Sequence, residues 1–588
     1  MRHAALLRIG TLIALTPLIH GCGKPAHWFG CPKDSIDAVS MTDATNAYLH
    51  HILHNGQSLA AGEEATPIAT RTPSPYGNVR FERGITTWSG RDKYRDPTAR
   101  NDKGFELLPL QPEVDGEYYG ETIANGMTDH LSAQIEGQGG KTAALQHRFL
   151  FSYHGQGNRL IRELDKRHDD AKDPRAGDRK SIGSHYITGL DDVRRAQQQA
   201  QHDCQHYSVA AVTWMQGEAN GDLQITRWEP AVAPLAAFLS YMDDLIKLAH
   251  DYNDDIRAIT GQRETIPFLT YQTSTYPVIA QAQLAAADAE PLIYLVSPTY
   301  YLPSAANGFY WIDKKKLYGH DIHLAADGER WLGEQFAKVL WQISVDKKDW
   351  QPLRPVSATV EDAGKAIRVA FHVPTPPLVL DQEFLPTQRN GGAQGNTALL
   401  GFEVLDQKDR AQPLESIVVA DDTSVKITLR QPLVASGAPY RIRYGSQSAT
   451  AFDASVIRAE PATDTGDGYR TRTIVVATNV VSTDAGSALE ALSQEGAFYL
   501  VCDNQPRLLI RSIEPGKDLS LHADVTNGDL AEPAAQLHCH GERIYGFGNL
   551  RDSDPAISFY QFAHGPRKGQ RYPLYNWSVV FDQLKVAM

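Results

Sequence analysis

Three short blocks carry side chains that can do acyl-transfer chemistry. Ser58 stands in His54-Asn55-Gly56-Gln57-Ser58-Leu59-Ala60, after an apolar run and a glycine turn that would hold its hydroxyl at a sheet edge. A serine hydroxyl is a weak nucleophile and needs an adjacent base. The block is not the G-x-S-x-G elbow, because position 60 is Ala. Read alone, an ordinary turn serine explains it better. The second block, Thr213-Trp214-Met215-Gln216-Gly217-Glu218-Ala219-Asn220, closes an apolar run that starts at Tyr207. An amide such as Gln216 at a strand end can donate to a developing oxyanion; a solvated strand end is the plainer alternative. The third block is Gly319-His320-Asp321-Ile322-His323-Leu324, just before an amphipathic stripe. His323 there can reach back over a sheet edge as general base, although a lone histidine at a helix start needs no such role. Together the blocks hold a nucleophile, an anion-stabilising donor and a base.

The elements that would position them alternate in type. Tyr48 to His54, Tyr207 to Met215, Ile266 to Tyr271 and Leu292 to Ser297 read as short buried strands. Between and after them lie helical stripes: Leu235, Phe238, Leu239, Met242, Leu245, Ile246 and Ala249, then Leu332, Phe336, Leu340 and Ile343. Strands separated by helices predict parallel βαβ units in a three-layer α/β domain, with functional residues at the carboxyl ends of strands. After about Asp349 the texture changes to short strand-like runs between Pro and Gly turns, which predicts a β-sandwich-like C-terminal domain. The stretch at about 455–540 reads as an insertion, and the last strands, Ile544 to Phe581, as completing the sandwich. The expected organisation is a leader over 1–22, an α/β domain over 23–348 and a β-rich accessory domain over 349–588.

With the blocks in this order, the chain resembles the SGNH (GDSL-type) hydrolases, and within them the sialate O-acetylesterase-like carbohydrate esterases. The matches are Gly56-Gln57-Ser58, Trp214 through Glu218, and His323-Leu324. Tyr119-Gly120-Glu121-Thr122 resembles the block that supplies a glycine N–H to the oxyanion hole, and Ser152 to Gly157 with Tyr186 resembles the glycine-rich loop. The resemblance covers roughly residues 45 to 345 and implies a Ser58–His323 mechanism. Its oxyanion donors would be the Ser58 and Gly120 N–H groups and Gln216. Glu218, Gly155, Tyr186 and Tyr300 would be substrate-binding candidates, with no metal or organic cofactor. Two departures stand out: Leu59 replaces the family's Asn, and His320 occupies the place of the triad aspartate. Asp321, two before His323, is the expected acid; an acid from elsewhere or a Ser-His dyad is the alternative.

At 588 residues the chain is too long for one core. Its formal charge of −13 argues against nucleic-acid binding, which needs a basic face. Arg2 and Arg8, the apolar run Ile9 to Ile19 and the His20-Gly21-Cys22 junction describe a secretory leader with a lipobox-like cysteine. The expectation is export to a bacterial envelope and a membrane anchor through lipid on Cys22. Cys31, Cys204, Cys502 and Cys539 remain for disulfides, with Cys502 and Cys539 in one late segment. His50, His51 and His54 cluster, but neighbours on a strand diverge, so no metal site is expected. Tyr300, Tyr301, Phe309, Tyr310 and Trp311 could stack on sugar rings or could be ordinary packing. The reading is an exported serine esterase acting on an O-acylated carbohydrate, with acetyl the expected acyl group. The rivals are a lipase- or thioesterase-like SGNH hydrolase and a glycan-binding lipoprotein with a degenerate esterase domain.

Overall fold

A computed structural model describes residues 44–86, 104–112, 119–166, 185–222, 234–274, 276–305, 309–312, 315–318, 322–384, 401–407, 410–434, 438–445, 447–464, 470–478, 498–502, 508–514, 519–524, 537–545 and 548–587. Its first part holds β1 (Tyr48–Gly56), β2 (Val79–Phe81), β3 (Leu107–Pro109), α1 (Ile123–Gln146), β4 (His147–Tyr153), α2 (Ile161–Leu164), α3 (His185–His202) and β5 (His206–Met215). There follow α4 (Glu218–Asp222), α5 (Pro234–Thr260), β6 (Phe268–Gln272), α6 (Pro277–Ala289), β7 (Ile293–Pro298), β8 (Phe309–Ile312), β9 (Lys315–Tyr318) and α7 (Ala326–Ser344). The main sheet runs β3-β2-β4-β1-β5-β6-β7, parallel except for the antiparallel edge strand β3.

Every residue of β1 is buried, as a central strand covered on both faces must be. Leu49 and Leu53 join the core under α3 and α5, and Ile52 joins the core under α1 and α7. The three histidines of β1 are structural. Burial pushes His50, His51 and His54 down to about 3, so the rings stay neutral. His51 is bracketed by Tyr207 Oη and Ser152 Oγ, both at 2.8 Å, and His54 Nδ1 lies 2.7 Å from Thr213 Oγ1.

The second part is β-sheet. It contains β10 (Arg354–Glu361), β11 (Ala366–His372), β12 (Val379–Leu380), β13 (Phe402–Leu405), β14 (Leu414–Asp421), β15 (Ser424–Leu429), β16 (Arg441–Tyr444), β17 (Gln447–Ala459), β18 (Thr463–Asp464) and β19 (Arg470–Thr478). It continues with β20 (Phe498–Cys502), β21 (Leu508–Glu514), β22 (Leu519–Asp524), β23 (His538–Tyr545), β24 (Leu550–Arg551), β25 (Ile557–Gln561), β26 (Arg571–Pro573) and β27 (Phe581–Ala587). One sheet has the order β13-β16-β27-β10-β11-β15-β14. Its halves meet at β27, and Phe371 of one half packs on Phe402 of the other. Between β16 and β24 the chain makes a separate sheet, β17-β23-β20-β21-β22-β19-β18, in which β17 also pairs with β19 and closes the ring. A disulfide joins Cys502 to Cys539 across the β20–β23 pair.

The two parts share a continuous apolar core. The polar face of α7 is also covered, by residues 554–577. Asp327 accepts from the Ala563 and His564 N–H groups and from Tyr572 Oη. Glu334 accepts from the Tyr560 N–H at 2.9 Å, Trp331 Nε1 donates to Pro573 O at 2.9 Å, and Lys338 Nζ donates to Asn576 Oδ1 at 2.7 Å. The helix that follows His323 is therefore clamped between α1 and the C-terminal segment. Among the described residues, no helix is long and apolar enough to cross a membrane.

Candidate active site

Strand β1 lies between β4 and β5, and the chain crosses to opposite sides of it in making those two strands. The carboxyl end of β1 is thus a topological switch point, where open α/β sheets leave a crevice. Ser58 lies two residues past that end, and 7% of its surface is exposed.

The turn is held from both flanking strands. Gln57 N–H donates to Met215 O at 2.9 Å, and Gln156 N–H donates to Gly56 O at 3.0 Å. Tyr153 Oη reaches Gly56 O and Gln57 O, both at 3.3 Å. Gly56 has φ +151°, and a Cβ there would lie 2.1 Å from Met215 O, so only glycine fits. The Gln57 side chain ties two of the sequence blocks together. Its Oε1 accepts from the Ala219 N–H at 3.0 Å at the start of α4, and its Nε2 lies 3.5 Å from Ser58 Oγ. The Ser58 N–H has no hydrogen-bond partner among the described residues.

His323 sits on the segment entering α7. That segment is fixed by Ala305 N–H donating to His323 O at 2.8 Å and Ala325 N–H donating to Pro303 O at 2.9 Å. His323 Nδ1 lies 3.0 Å from Glu64 Oε2, with the carboxylate approaching off the N–H axis. Glu64 belongs to the Ser58 turn, in which Glu63 N–H donates to Ser58 O at 3.1 Å. Its backbone is left-handed, φ +62°, which costs a non-glycine residue about 1–2 kcal/mol. Flanking bonds hold it there: Gly120 N–H donates to Gly62 O, and Glu121 N–H donates to Ala65 O, both at 3.0 Å. His323 also lies near Glu218. Burial pushes the Glu218 carboxyl up, opposed by the hydrogen bond from Tyr271 and by His323. No Ser58–His323 hydrogen bond forms among the described residues; such contacts commonly close only around substrate.

The other expected site residues fall in several places. Gly120 is spent: its N–H serves Gly62, and a Cβ there would lie 2.1 Å from Ala65 O, so its smallness lets two loops meet rather than opening an oxyanion donor. Gln216 is fully buried and its amide is spent too. Nε2 donates to Arg159 O at 3.0 Å and Asn220 Oδ1 at 2.7 Å, and Oε1 accepts from Tyr241 Oη at 3.0 Å. It braces the loops beside Ser58 instead of facing an anion. Gly155 is backbone packing against Gly56, where a Cβ would lie 2.0 Å from Gly56 O. Glu218 is buried under Tyr271, whose Oη donates to Oε2 at 2.6 Å. Tyr186 is buried on Tyr252 and donates to Asp255 at 2.9 Å, so it is not a substrate contact. Tyr300 is likewise no sugar platform. It is fully buried between the two parts, donating to Ser578 O at 2.7 Å, while Tyr301 stacks on Trp577. The side chains of Phe309, Tyr310 and Trp311 lie outside the described ones, as do Cys22, His320 and Asp321. Glu64 was missed, because no spacing rule links an acid six residues past a serine to a distant histidine.

No protein-family model matches this chain, and no curated protein matches it. Among solved structures, a carbohydrate acetylesterase from Xanthomonas citri aligns over 67% of this chain and 75% of its own, with 13% identity and a TM-score of 0.40. NanS aligns over 52% of this chain and 99% of its own, with 12% identity and a TM-score of 0.30. The N-terminal part of the bacterial S-layer protein SbsC aligns over 61% and 70%, with 10% identity and a TM-score of 0.12. Likeness at these scores does not establish a shared fold, and the functional reading rests on the site.

Proposed function

We propose that this chain is a serine esterase that removes acyl groups, acetyl foremost, from a carbohydrate. The observation that carries it is the placing of His323 against a buried carboxylate on the same turn as Ser58, at the switch point of a parallel sheet. The carbohydrate substrate rests on the resemblance of the motif blocks. Export and lipid attachment at Cys22 belong to the same proposal and rest on the leader pattern.

In the reaction, His323 Nε2 takes the Ser58 Oγ proton as Oγ bonds to the acyl carbon, and the carbonyl π pair moves onto oxygen. The Ser58 N–H, which has no partner among the described residues, is positioned to receive that oxyanion. Collapse expels the sugar alkoxide, which takes the proton from His323. Water then gives a proton to His323 and attacks the acyl-serine. The carboxylic acid leaves as His323 returns the proton to Ser58 Oγ. A binding-only glycan lipoprotein is the second reading, favoured by the engaged Gly120 and Gln216 donors. Acetate release from an aryl acetate and a panel of O-acetylated glycans separates the two. The esterase reading expects turnover that falls by about 10⁴-fold or more in Ser58→Ala and His323→Ala. A wild-type chain that binds glycans and releases no acetate would establish the second reading.

A further inference from the structure

We infer that Glu64, carried by the nucleophile's own turn, is the acid that orients His323 and stabilises its imidazolium. This rests on the esterase reading above and departs from the expectation of Asp321. The buried Glu64 carboxylate is 3.0 Å from His323 Nδ1, which leaves Nε2 as the nitrogen for the Ser58 proton. No proton moves to Glu64. It remains a carboxylate, stabilising the charge that His323 gains while Ser58 Oγ is attacking.

Among the described residues, the neighbouring acids Glu63 and Glu218 are engaged elsewhere. Glu63 points the other way, its Oε1 lying over Gly157 and accepting from Tyr119 Oη at 3.4 Å. Glu218 is near His323, but both its oxygens are engaged by Tyr271 Oη, and no ion pair joins it to His323 among the described residues. The left-handed backbone at Glu64 is what turns consecutive acids to different sides, and non-glycine residues hold such a conformation only where surroundings enforce it. The Gly62–Gly120 and Ala65–Glu121 backbone bonds enforce it here. Nucleophile and acid are therefore carried on one turn, and His323 meets the acid from the α7 side.

The test compares Glu64→Gln, Glu64→Asp and Asp321→Asn with wild type and Ser58→Ala, in the full chain. Three readouts are taken: kcat and KM on an aryl acetate, thermal midpoint, and rate of Ser58 labelling by a fluorophosphonate. Glu64→Gln keeps shape and loses charge, so kcat should fall on the order of 10³- to 10⁴-fold with KM and midpoint near wild type. Labelling should slow in parallel. Glu64→Asp should recover at least tenfold of the kcat lost in Glu64→Gln, because it restores the charge and aspartate tolerates the left-handed region. Asp321→Asn should remain within about threefold of wild type. The inference is overturned if Glu64→Gln keeps kcat within tenfold, if Glu64→Asp recovers nothing, or if Asp321→Asn shows the large loss instead. If wild type neither turns over nor labels at Ser58, the esterase reading falls and the Glu64 role falls with it. Normal Ser58-dependent turnover with an indifferent Glu64 removes only the latter.

Discussion

Substituting Gly155 by alanine tests whether the nucleophile turn is rigid because two backbones touch. A Cβ at 155 would lie 2.0 Å from Gly56 O, 2.7 Å from Gly56 N and 2.9 Å from Asn55 Oδ1. Two of these are backbone atoms, which cannot swing aside as a side chain does. Reaching even 3.0 Å from Gly56 O requires the strand ends to part by at least about 1 Å. That movement stretches the 3.0 Å bond from Gln156 N–H to Gly56 O and loosens the 3.3 Å Tyr153 contact. A displacement of about 1 Å in a catalytic group typically costs on the order of 100-fold. The expected result is a kcat/KM on an aryl acetate about 100-fold below wild type, with near-ultraviolet circular dichroism preserved. Gly157→Ala is the matched control. Its Cβ would meet Glu63 Oε1 at 2.0 Å, the far end of a side chain that can rotate away, so its loss should stay under about tenfold. A folded Gly155→Ala variant within threefold of wild type would refute the idea that this contact sets the position of Ser58.

Two further outcomes follow from buried polar groups. Glu329 is buried, its Oε2 has no hydrogen-bond partner among the described residues, and burial, with Glu121 nearby, holds its carboxyl well above the usual carboxylate range. The folded state thus holds its proton more tightly than the unfolded chain, so this residue lowers stability progressively as pH rises above about 4.5. Glu329→Gln should raise the melting temperature at pH 7, and the gain should vanish as pH falls below that value; a gain that persists at pH 4 would refute the linkage. Tyr300→Phe removes a buried hydroxyl bonded to Ser578 O and no substrate contact. Denaturant unfolding should show a loss of about 1 kcal/mol, with KM for O-acetylated glycans unchanged within twofold; a large rise in KM would restore Tyr300 as a sugar platform.

The C-terminal part does more than append to the α/β part. Asp327, Arg330, Glu334, Gln335 and Lys338 on α7 all reach partners in residues 554–577. A helix with that many charged groups on its outer face would ordinarily be solvated there. Here the last strands of the chain return after the closed β17–β23 ring and cover it, so the position of His323 depends on a segment more than 200 residues further along the chain.

Local chemistry and periodicity already determined much of this protein. The apolar runs at Tyr48 and Tyr207 read as strands, and the glycine turn after the first puts Ser58 just past a strand end. The stripe of Leu332, Phe336 and Leu340 marked α7, hence the place of His323 before it. The change of texture near Asp349 marked the passage to β-structure. Tertiary structure alone decided which polar groups remain available. Gln216 and Gly120 carry suitable donors in sequence, and folding uses both to brace the loops beside Ser58, because buried donors must be satisfied. Tyr186 and Tyr300 are substrate-binding candidates in sequence, and packing removes both from the surface. The meeting of Glu64 with His323 spans more than 250 residues and depends on one left-handed residue held by backbone pairing with another loop. No local pattern encodes that contact, because its direction is set by hydrogen bonds that exist only once the sheet has formed.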